Sequence, residues 1–178
     1  MPALLRNSVD RFGWFARIAH WTTVALVAIA FIDISGLDVP PKLAVREAVV
    51  AYHVSLGLLI LLLMLARLGW RLTNPNPVRA WNLSPGHRFF AISVHRLMYV
   101  VVIGLCLSGI AGVIAGGAPL EVFGLRLGAA ETAVHAAKRA LALDVHARLS
   151  TLLLLMIAVH ATTAVVNQVF AGDEQPAP

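Results

Sequence analysis

The stretch DVHARLSTLLLLMIAVHATTAVVNQVF, residues 144–170, is an apolar run with one histidine near its start, His146, and another deep inside it, His160. The two histidines are 14 residues apart, close to four helical turns. In a helix their imidazoles would lie on nearly the same face, about 21 Å apart along the axis. A bilayer hydrocarbon core is about 30 Å thick, so each half of a membrane would contain one histidine. Ionisable side chains at membrane depth are costly, and two on one face predict a functional site.

The overall composition is that of an integral membrane protein. Of the 178 residues, 59% are hydrophobic and 13% are charged, whereas soluble domains have about 45–50% and about 25%. The mean hydropathy is +0.80. The net charge of +5 does not predict a nucleic-acid partner, because most basic residues flank apolar runs, where they contact lipid headgroups. The single cysteine, Cys106, excludes an internal disulfide and the C-x-x-C-H attachment of c-type haem.

The fold is predicted from four apolar runs, which are expected to span the membrane at residues 14–34, 47–70, 88–114 and 144–169. With short connectors between most of them, the predicted fold class is all-α, a single integral membrane antiparallel four-helix bundle over residues 1–178. A long loop is expected over residues 115–143. Glycines in the third run predict that a neighbouring helix approaches it closely; they are Gly104, Gly109 and Gly112.

Basic residues predict the orientation of the bundle. Eight arginines fall on the side of the termini and six basic residues on the other, a small bias, but the first helix usually dominates topology. Both termini are therefore expected to be cytoplasmic. The two groups are Arg6, Arg11, Arg17, Arg67, Arg71, Arg79, Arg88 and Arg96, and Lys42, Arg46, Arg126, Lys138, Arg139 and Arg148.

Depth along the spans sorts four histidines into two levels. His20 and His160 lie about 9 and about 13 Å from the cytoplasmic ends of their spans, and His53 and His146 lie about 9 and about 5 Å from the opposite ends. Neutral imidazoles are the usual axial ligands of b-type haem, and bis-histidine ligation suits electron transfer because no position stays open. The pattern therefore predicts two haem b, with these four histidines as the iron ligands.

Other uses of intramembrane histidines stay open. A single membrane histidine more often makes a helix–helix hydrogen bond than a metal bond, which would give a structural bundle without a cofactor. An intramembrane metal or proton transporter would ordinarily have carboxylates among its histidines. Here Asp33, Glu47 and Asp144 all lie near span boundaries, which disfavours the transporter.

A fifth histidine, His95, lies about 10 Å from the cytoplasmic end of its span, level with His20 and His160. It can replace either as a ligand, bind a haem propionate, or line a quinone pocket near Tyr99. A role beside the haem is favoured over ligation, because a bis-histidine site already has both axial ligands.

Short motifs follow one another along the chain in a specific order and spacing. They are Ile18-Ala-His20-Trp21, Tyr52-His53-Val-Ser-Leu-Gly57, Ala66-Arg67-Leu-Gly-Trp-Arg71, Asn74-Pro-Asn-Pro77, His95-Arg-Leu-Met-Tyr99, Ser108-Gly109 and Phe123-Gly-Leu125, then His146 and His160. Each motif is weak alone. Together, over roughly residues 11–170, the chain resembles the bacterial cytochrome b561 family, the group that includes superoxide oxidase.

The resemblance implies a four-helix protein of the bacterial inner membrane with two b haems. Its ligands would pair the first span with the fourth and the second with the fourth, through His20, His53, His146 and His160. The resemblance also implies electron exchange with ubiquinone. For the superoxide-oxidising members it implies a superoxide:ubiquinone oxidoreductase that takes an electron from superoxide at the periplasmic face.

The chain departs from the family after its last ligand. Val166, Asn167 and Gln168 stand where a basic residue and a histidine pair usually follow, and the tail is acidic. This departure concerns the cytoplasmic quinone site rather than the haem sites. It mildly favours an alternative, a haem-bearing membrane anchor that relays electrons for a partner dehydrogenase or reductase.

Basic residues near the proposed haem sites have two interpretations each. On the periplasmic side, positive charge could steer superoxide, an anion, or be ordinary interface charge offset by Glu121, Glu131 and Asp144; the residues are Arg126, Arg148, Lys138 and Arg139. On the cytoplasmic side, Arg67 and Arg71 are expected to anchor the span, with contact to a haem propionate as the alternative.

Overall fold

The structure, a computed structural model, describes residues 6–8, 11–35, 43–74, 85–128 and 134–170. Residues 75–84, in the connector between the second and third predicted spans, and the acidic tail therefore lie outside the described residues. Four long helices and one hairpin follow in order: α1 (Trp14–Ser35), α2 (Leu43–Thr73), α3 (Pro85–Ala115), β1 (Leu120–Val122), β2 (Leu125–Leu127) and α4 (Ala136–Phe170). Each helix contains a segment long and apolar enough to cross a membrane. The all-α, four-helix fold class is confirmed.

Part of the stretch predicted as one long loop, residues 115–143, forms regular elements among the described residues. It contains the β1–β2 hairpin, and α4 begins at Ala136, eight residues before the predicted span. The first turn is already formed there, because the amide of Arg139 donates to the carbonyl of His135 over 2.9 Å. Hydropathy identified only the apolar part of α4, whose polar first turns include Lys138 and Arg139.

The interior of the bundle is apolar and receives side chains from all four helices. Leu56 and Leu153 are almost fully buried. Many other large apolar side chains point outward, and Ile32 and Leu155 are 74% and 62% exposed. A soluble monomer rarely exposes so much apolar surface, and in a bilayer these side chains contact acyl chains. The core consists of Ala30, Leu56, Ile60, Leu61, Met64, Val101, Val102, Cys106, Leu153 and Met156.

The helices pack unequally around this core. α4 packs most extensively on α3, whereas its described residues make no comparable contact with α1 or α2. Glycines on α3 allow the approach, as predicted: a Cβ at Gly104 would lie 3.4 Å from Leu149, and one at Gly112 would lie 2.8 Å from Leu143. α4 is therefore held by α3 and stands apart from α1 and α2, whose histidines it faces.

The hairpin is anchored on α2 by one buried hydroxyl. Phe123 and Gly124 both have positive φ, 47° and 85°, as in the two-residue turns that suit hairpins. The Ser55 hydroxyl accepts a hydrogen bond from the Phe123 amide (2.9 Å) and lies 3.2 Å from the Glu121 carbonyl. The Phe123 ring also contacts the edge of Tyr52, with ring centres 6.5 Å apart. The hairpin thus covers α2 beside His53.

Candidate functional site: two levels of facing histidines

At the end of the bundle that carries the hairpin, the imidazoles of His53 and His146 face each other from α2 and α4. Their ring centres are 6.2 Å apart and their planes make an angle of 76°. We call them the hairpin-side pair. The Nδ1 atom of His146 is 2.9 Å from the Leu105 carbonyl and 3.4 Å from the Ser108 hydroxyl. A proton on Nδ1 donates to that carbonyl, which leaves Nε2 with a lone pair for a metal.

His146 fits against α3 because residue 109 is glycine. A Cβ at Gly109 would lie 3.0 Å from Cε1 and 3.1 Å from Nδ1 of the His146 ring. These distances are short for real carbon contacts, so a side chain there would push the imidazole away. Gly109 therefore contributes to the position of the ring as well as to helix packing.

At the other level, His20 of α1 faces His160 of α4, with ring centres 6.4 Å apart and an interplanar angle of 74°. We call these two the far-side pair. His95 of α3 lies closer still to His160, with ring centres 5.0 Å apart and planes perpendicular. The Nδ1 atom of His95 is 2.6 Å from the Ala91 carbonyl. The structure thus brings together the three histidines that were predicted to share one depth.

Arg67 contacts the far-side pair, and Arg71 lies over the same tyrosine ring as Arg67. An Arg67 Nη2 is 3.2 Å from Nδ1 of His20. A guanidinium only donates, so Nδ1 accepts in this arrangement. The guanidinium carbons of Arg67 and Arg71 lie 5.9 and 5.8 Å from the centre of the Tyr99 ring. The far side therefore carries one positive charge against His20 and a second at the Tyr99 ring.

Both histidine pairs have the spacing of two imidazoles that share one metal. A metal–imidazole bond is about 2 Å long and the ring centre lies about 1 Å beyond the nitrogen, so two axial imidazoles have centres roughly 6 Å apart. The observed 6.2 and 6.4 Å agree, and the 5.0 Å between His95 and His160 is too short. Because α4 stands apart from α1 and α2, a flat macrocycle fits this donor set better than a bare ion does.

The described residues do not form a compact metal cluster. Within them, no three His, Cys, Asp or Glu side chains are arranged to hold a metal ion together. The histidines instead form facing pairs, with His95 beside one of them.

The basic residues predicted to steer an anion are not equivalent in the structure. Arg148 donates to Asp144 over 2.8 Å, and Arg126 donates to Glu121 over 2.7 Å, both on the exposed surface. Lys138 and Arg139 are exposed in the first turns of α4, and Arg139 also lies against Gly116. Glu131, the third acid expected to offset these charges, lies outside the described residues.

Comparison with known proteins identifies the family of the chain. The family model described as prokaryotic cytochrome b561 matches residues 11–175. The chain belongs to the prokaryotic cytochrome b561 family. It is also similar to cytochrome b561 homolog 2 of Escherichia coli (strain K12), with 27% identity over 66% of this chain. The matched region spans 63% of that relative's length.

Membership of the cytochrome b561 family, together with four helices that could cross a membrane, makes this chain a multi-pass membrane protein, and the family implies haem b. The residues fit that group, because both histidine pairs offer imidazole nitrogens at an axial spacing between helices that stand apart. Sequence reasoning missed Ser55, which holds the hairpin on α2. It also assigned no role to Asp33, whose Oδ2 atom is buried. A lone serine in an apolar helix and an acid at a span boundary are individually ambiguous, even though Ser55 lies two residues from His53.

Proposed function

We propose that this cytochrome b561 binds two b haems, one between His53 and His146 and one between His20 and His160, and passes electrons from a periplasmic donor to ubiquinone. The observation that carries the proposal is the pair of ring separations, 6.2 and 6.4 Å. The two levels are about 21 Å apart by the rise of α4. Bound haem would supply one-electron chemistry, and the protein's part is to hold, insulate and orient it.

The polar partners of the histidines differ between the two sites. On the hairpin side, His146 has its Nδ1 against a backbone carbonyl, which suits ligation through Nε2. On the far side, Arg67 donates to Nδ1 of His20, which puts the proton of a neutral ring on Nε2. Ligation through Nε2 of His20 therefore requires Arg67 to release Nδ1.

His95 has a role beside the far-side haem in this proposal. Its ring is too close to His160 to share an axial metal with it, and its Nδ1 is held by Ala91. Tyr99 lies one helical turn after His95 on α3, and the Arg71 guanidinium lies over the Tyr99 ring. We call these three polar residues, His95, Tyr99 and Arg71, the polar wall. Such groups can bind a quinone carbonyl or a haem propionate, which makes this wall the candidate acceptor site.

The electron donor is proposed to act at the hairpin side. The bias of basic residues predicts that this side is periplasmic and that both termini are cytoplasmic. The protein would then lie in the bacterial inner membrane. Superoxide is the candidate donor. Lys138 and Arg139 support this, because they are exposed basic side chains at that end, and positive surface charge raises the encounter rate with an anion. Arg148 contributes less, since Asp144 offsets its charge.

The first test is the haem-to-protein ratio of the purified full chain, measured by pyridine haemochrome assay. Two haem b per chain are expected, and one or none would contradict the proposal. The second test mixes the protein with superoxide and a soluble ubiquinone analogue. Quinone reduction above the spontaneous rate is expected. Two haems without that activity would instead favour the relay anchor, particularly if a soluble dehydrogenase co-purifies.

A further inference from the structure

Two buried polar atoms on the hairpin side have no hydrogen-bond partner among the described residues: Oδ2 of Asp33 and Nδ1 of His53. Buried polar groups are rarely left unpaired, and each such atom calls for an explanation. Oδ2 of Asp33 is an acceptor. Nδ1 of His53 becomes a donor when His53 ligates a metal through Nε2, because the ring proton then resides on Nδ1. Asp33 lies about one helical turn after Ala30 on α1, and the Ala30 backbone is next to the His53 ring.

A cavity next to Asp33 extends to Tyr52 on α2, the residue before His53. It has a volume of about 440 Å³ and lies between α1 and α2, lined by Asp33, Val45, Ala48, Val49 and Tyr52. Its other described lining side chains are mostly apolar, so the carboxylate is its principal polar feature. Asp33 thus lies next to the turn of α2 that carries His53.

The far side carries the opposite charge at the equivalent place. There the group beside the histidine ring is the Arg67 guanidinium, with Nη2 3.2 Å from Nδ1 of His20. Its charge acts over a longer range than this hydrogen bond and therefore still acts on the site when Nδ1 is released. One histidine pair thus has a carboxyl group as its neighbour, and the other has a guanidinium. Oxidised haem carries one more positive charge than reduced haem, so an anion favours the oxidised form and a cation the reduced form.

We propose that Asp33 and Arg67 set the order of the two reduction potentials: Asp33 lowers that of the haem between His53 and His146, and Arg67 raises that of the haem between His20 and His160. A carboxylate partner also makes an imidazole ligand more basic, which acts in the same direction as the charge of Asp33. Electrons then run downhill from the hairpin side to the far side. The inference rests on the proposed di-haem function and adds its direction.

The test is a potentiometric titration of the haem-loaded full chain, followed by the absorbance of reduced b haem. Asp33→Asn keeps the shape of the side chain and removes its charge, and it is expected to raise the lower potential. Arg67→Gln is expected to lower the upper potential. Each substitution should reduce the equilibrium constant for electron transfer between the haems at least tenfold, which for one electron is about 59 mV.

Each haem is assigned in a background that holds it alone. Asp33→Asn is repeated with His160→Ala, which leaves the hairpin-side haem, and Arg67→Gln with His146→Ala, which leaves the far-side haem. Charge-conserving Asp33→Glu and Arg67→Lys should keep both potentials close to those of the wild-type chain. Glu47→Gln and Arg88→Gln are the matched controls, because both residues are exposed and lie away from the histidine pairs. These two substitutions should leave both potentials unchanged.

The outcomes separate this inference from the function on which it rests. If the wild-type chain holds fewer than two b haems, both fail, and the haem-to-protein ratio reveals it before any titration. If two haems are present but Asp33→Asn leaves the lower potential in place, or Arg67→Gln leaves the upper one in place, only the ordering fails. A shift in the opposite direction, or equal shifts in the two controls, would also overturn it.

Discussion

His53 and His146 face each other from different helices with ring centres 6.2 Å apart, although 93 positions separate them along the chain. Nothing in the packing of α2 on α4 enforces this approach, because α4 is held mainly by α3. The alignment of these two rings depends on α3, which positions His146 through Leu105 and Gly109. Functional consequences of this arrangement can be tested residue by residue.

The ligand assignment predicts which haem each histidine substitution removes. His53→Ala and His146→Ala should each abolish the same b haem and leave about half of the wild-type haem content, while His160→Ala should abolish the other. The measurement is haem stoichiometry with reduced-minus-oxidised spectra. Loss of both haems from one substitution, in a chain that still elutes as a folded species, would count against two separate pairs.

His95 provides a sharper test of the far-side pair. Since its ring is too close to His160 for the two to share an axial metal, His95→Ala should keep two haems per chain, whereas His20→Ala should leave one. Quinone reduction should fall at least several-fold in His95→Ala if the polar wall near Tyr99 is the acceptor site. Haem loss in His95→Ala together with full retention in His20→Ala would reverse the assignment.

Gly109 should be intolerant of a side chain for a local reason. In Gly109→Ala the new methyl group would lie about 3 Å from the His146 ring, so we expect weaker binding or an altered spectrum of the hairpin-side haem only. Gly57→Ala is the matched control, since a Cβ there meets nothing within 4 Å and the site is one helical turn from His53. Equal effects of the two substitutions would refute the steric explanation.

Ser55 is expected to hold the hairpin on α2. Ser55→Ala leaves the Phe123 amide without its acceptor, and losing the partner of a buried polar group costs about 1–3 kcal/mol. Faster amide hydrogen exchange over residues 120–127 should follow. Thr151→Ala, which removes an exposed hydroxyl bonded to the Ala147 carbonyl, should leave that exchange unchanged. Unaltered hairpin exchange in Ser55→Ala would show that other contacts hold it.

Electrostatic steering predicts a salt-dependent effect of Lys138 and Arg139. Replacing both with glutamine should slow superoxide-driven haem reduction several-fold at low ionic strength, and the difference should shrink at high salt as the charges are screened. Arg148→Gln should have a smaller effect, since Asp144 already offsets Arg148. Stopped-flow rates at two salt concentrations give the answer, and a salt-independent loss would indicate a structural defect instead.

The sequence by itself determined the four spans, because hydropathy is a property of consecutive residues, and it determined the two histidine levels, because the helical rise converts residue number into depth. His20, His53, His146 and His160 could all be named in this way. Neither hydropathy nor helical rise specifies how one helix is rotated relative to another. Only the tertiary structure decided that His95 approaches His160 more closely than His20 does, that Gly109 makes room for the His146 ring, and that Ser55 bonds to a hairpin 68 residues away. The opposite charges beside the two pairs, Asp33 near His53 and Arg67 near His20, likewise depend on which faces α1 and α2 turn inward.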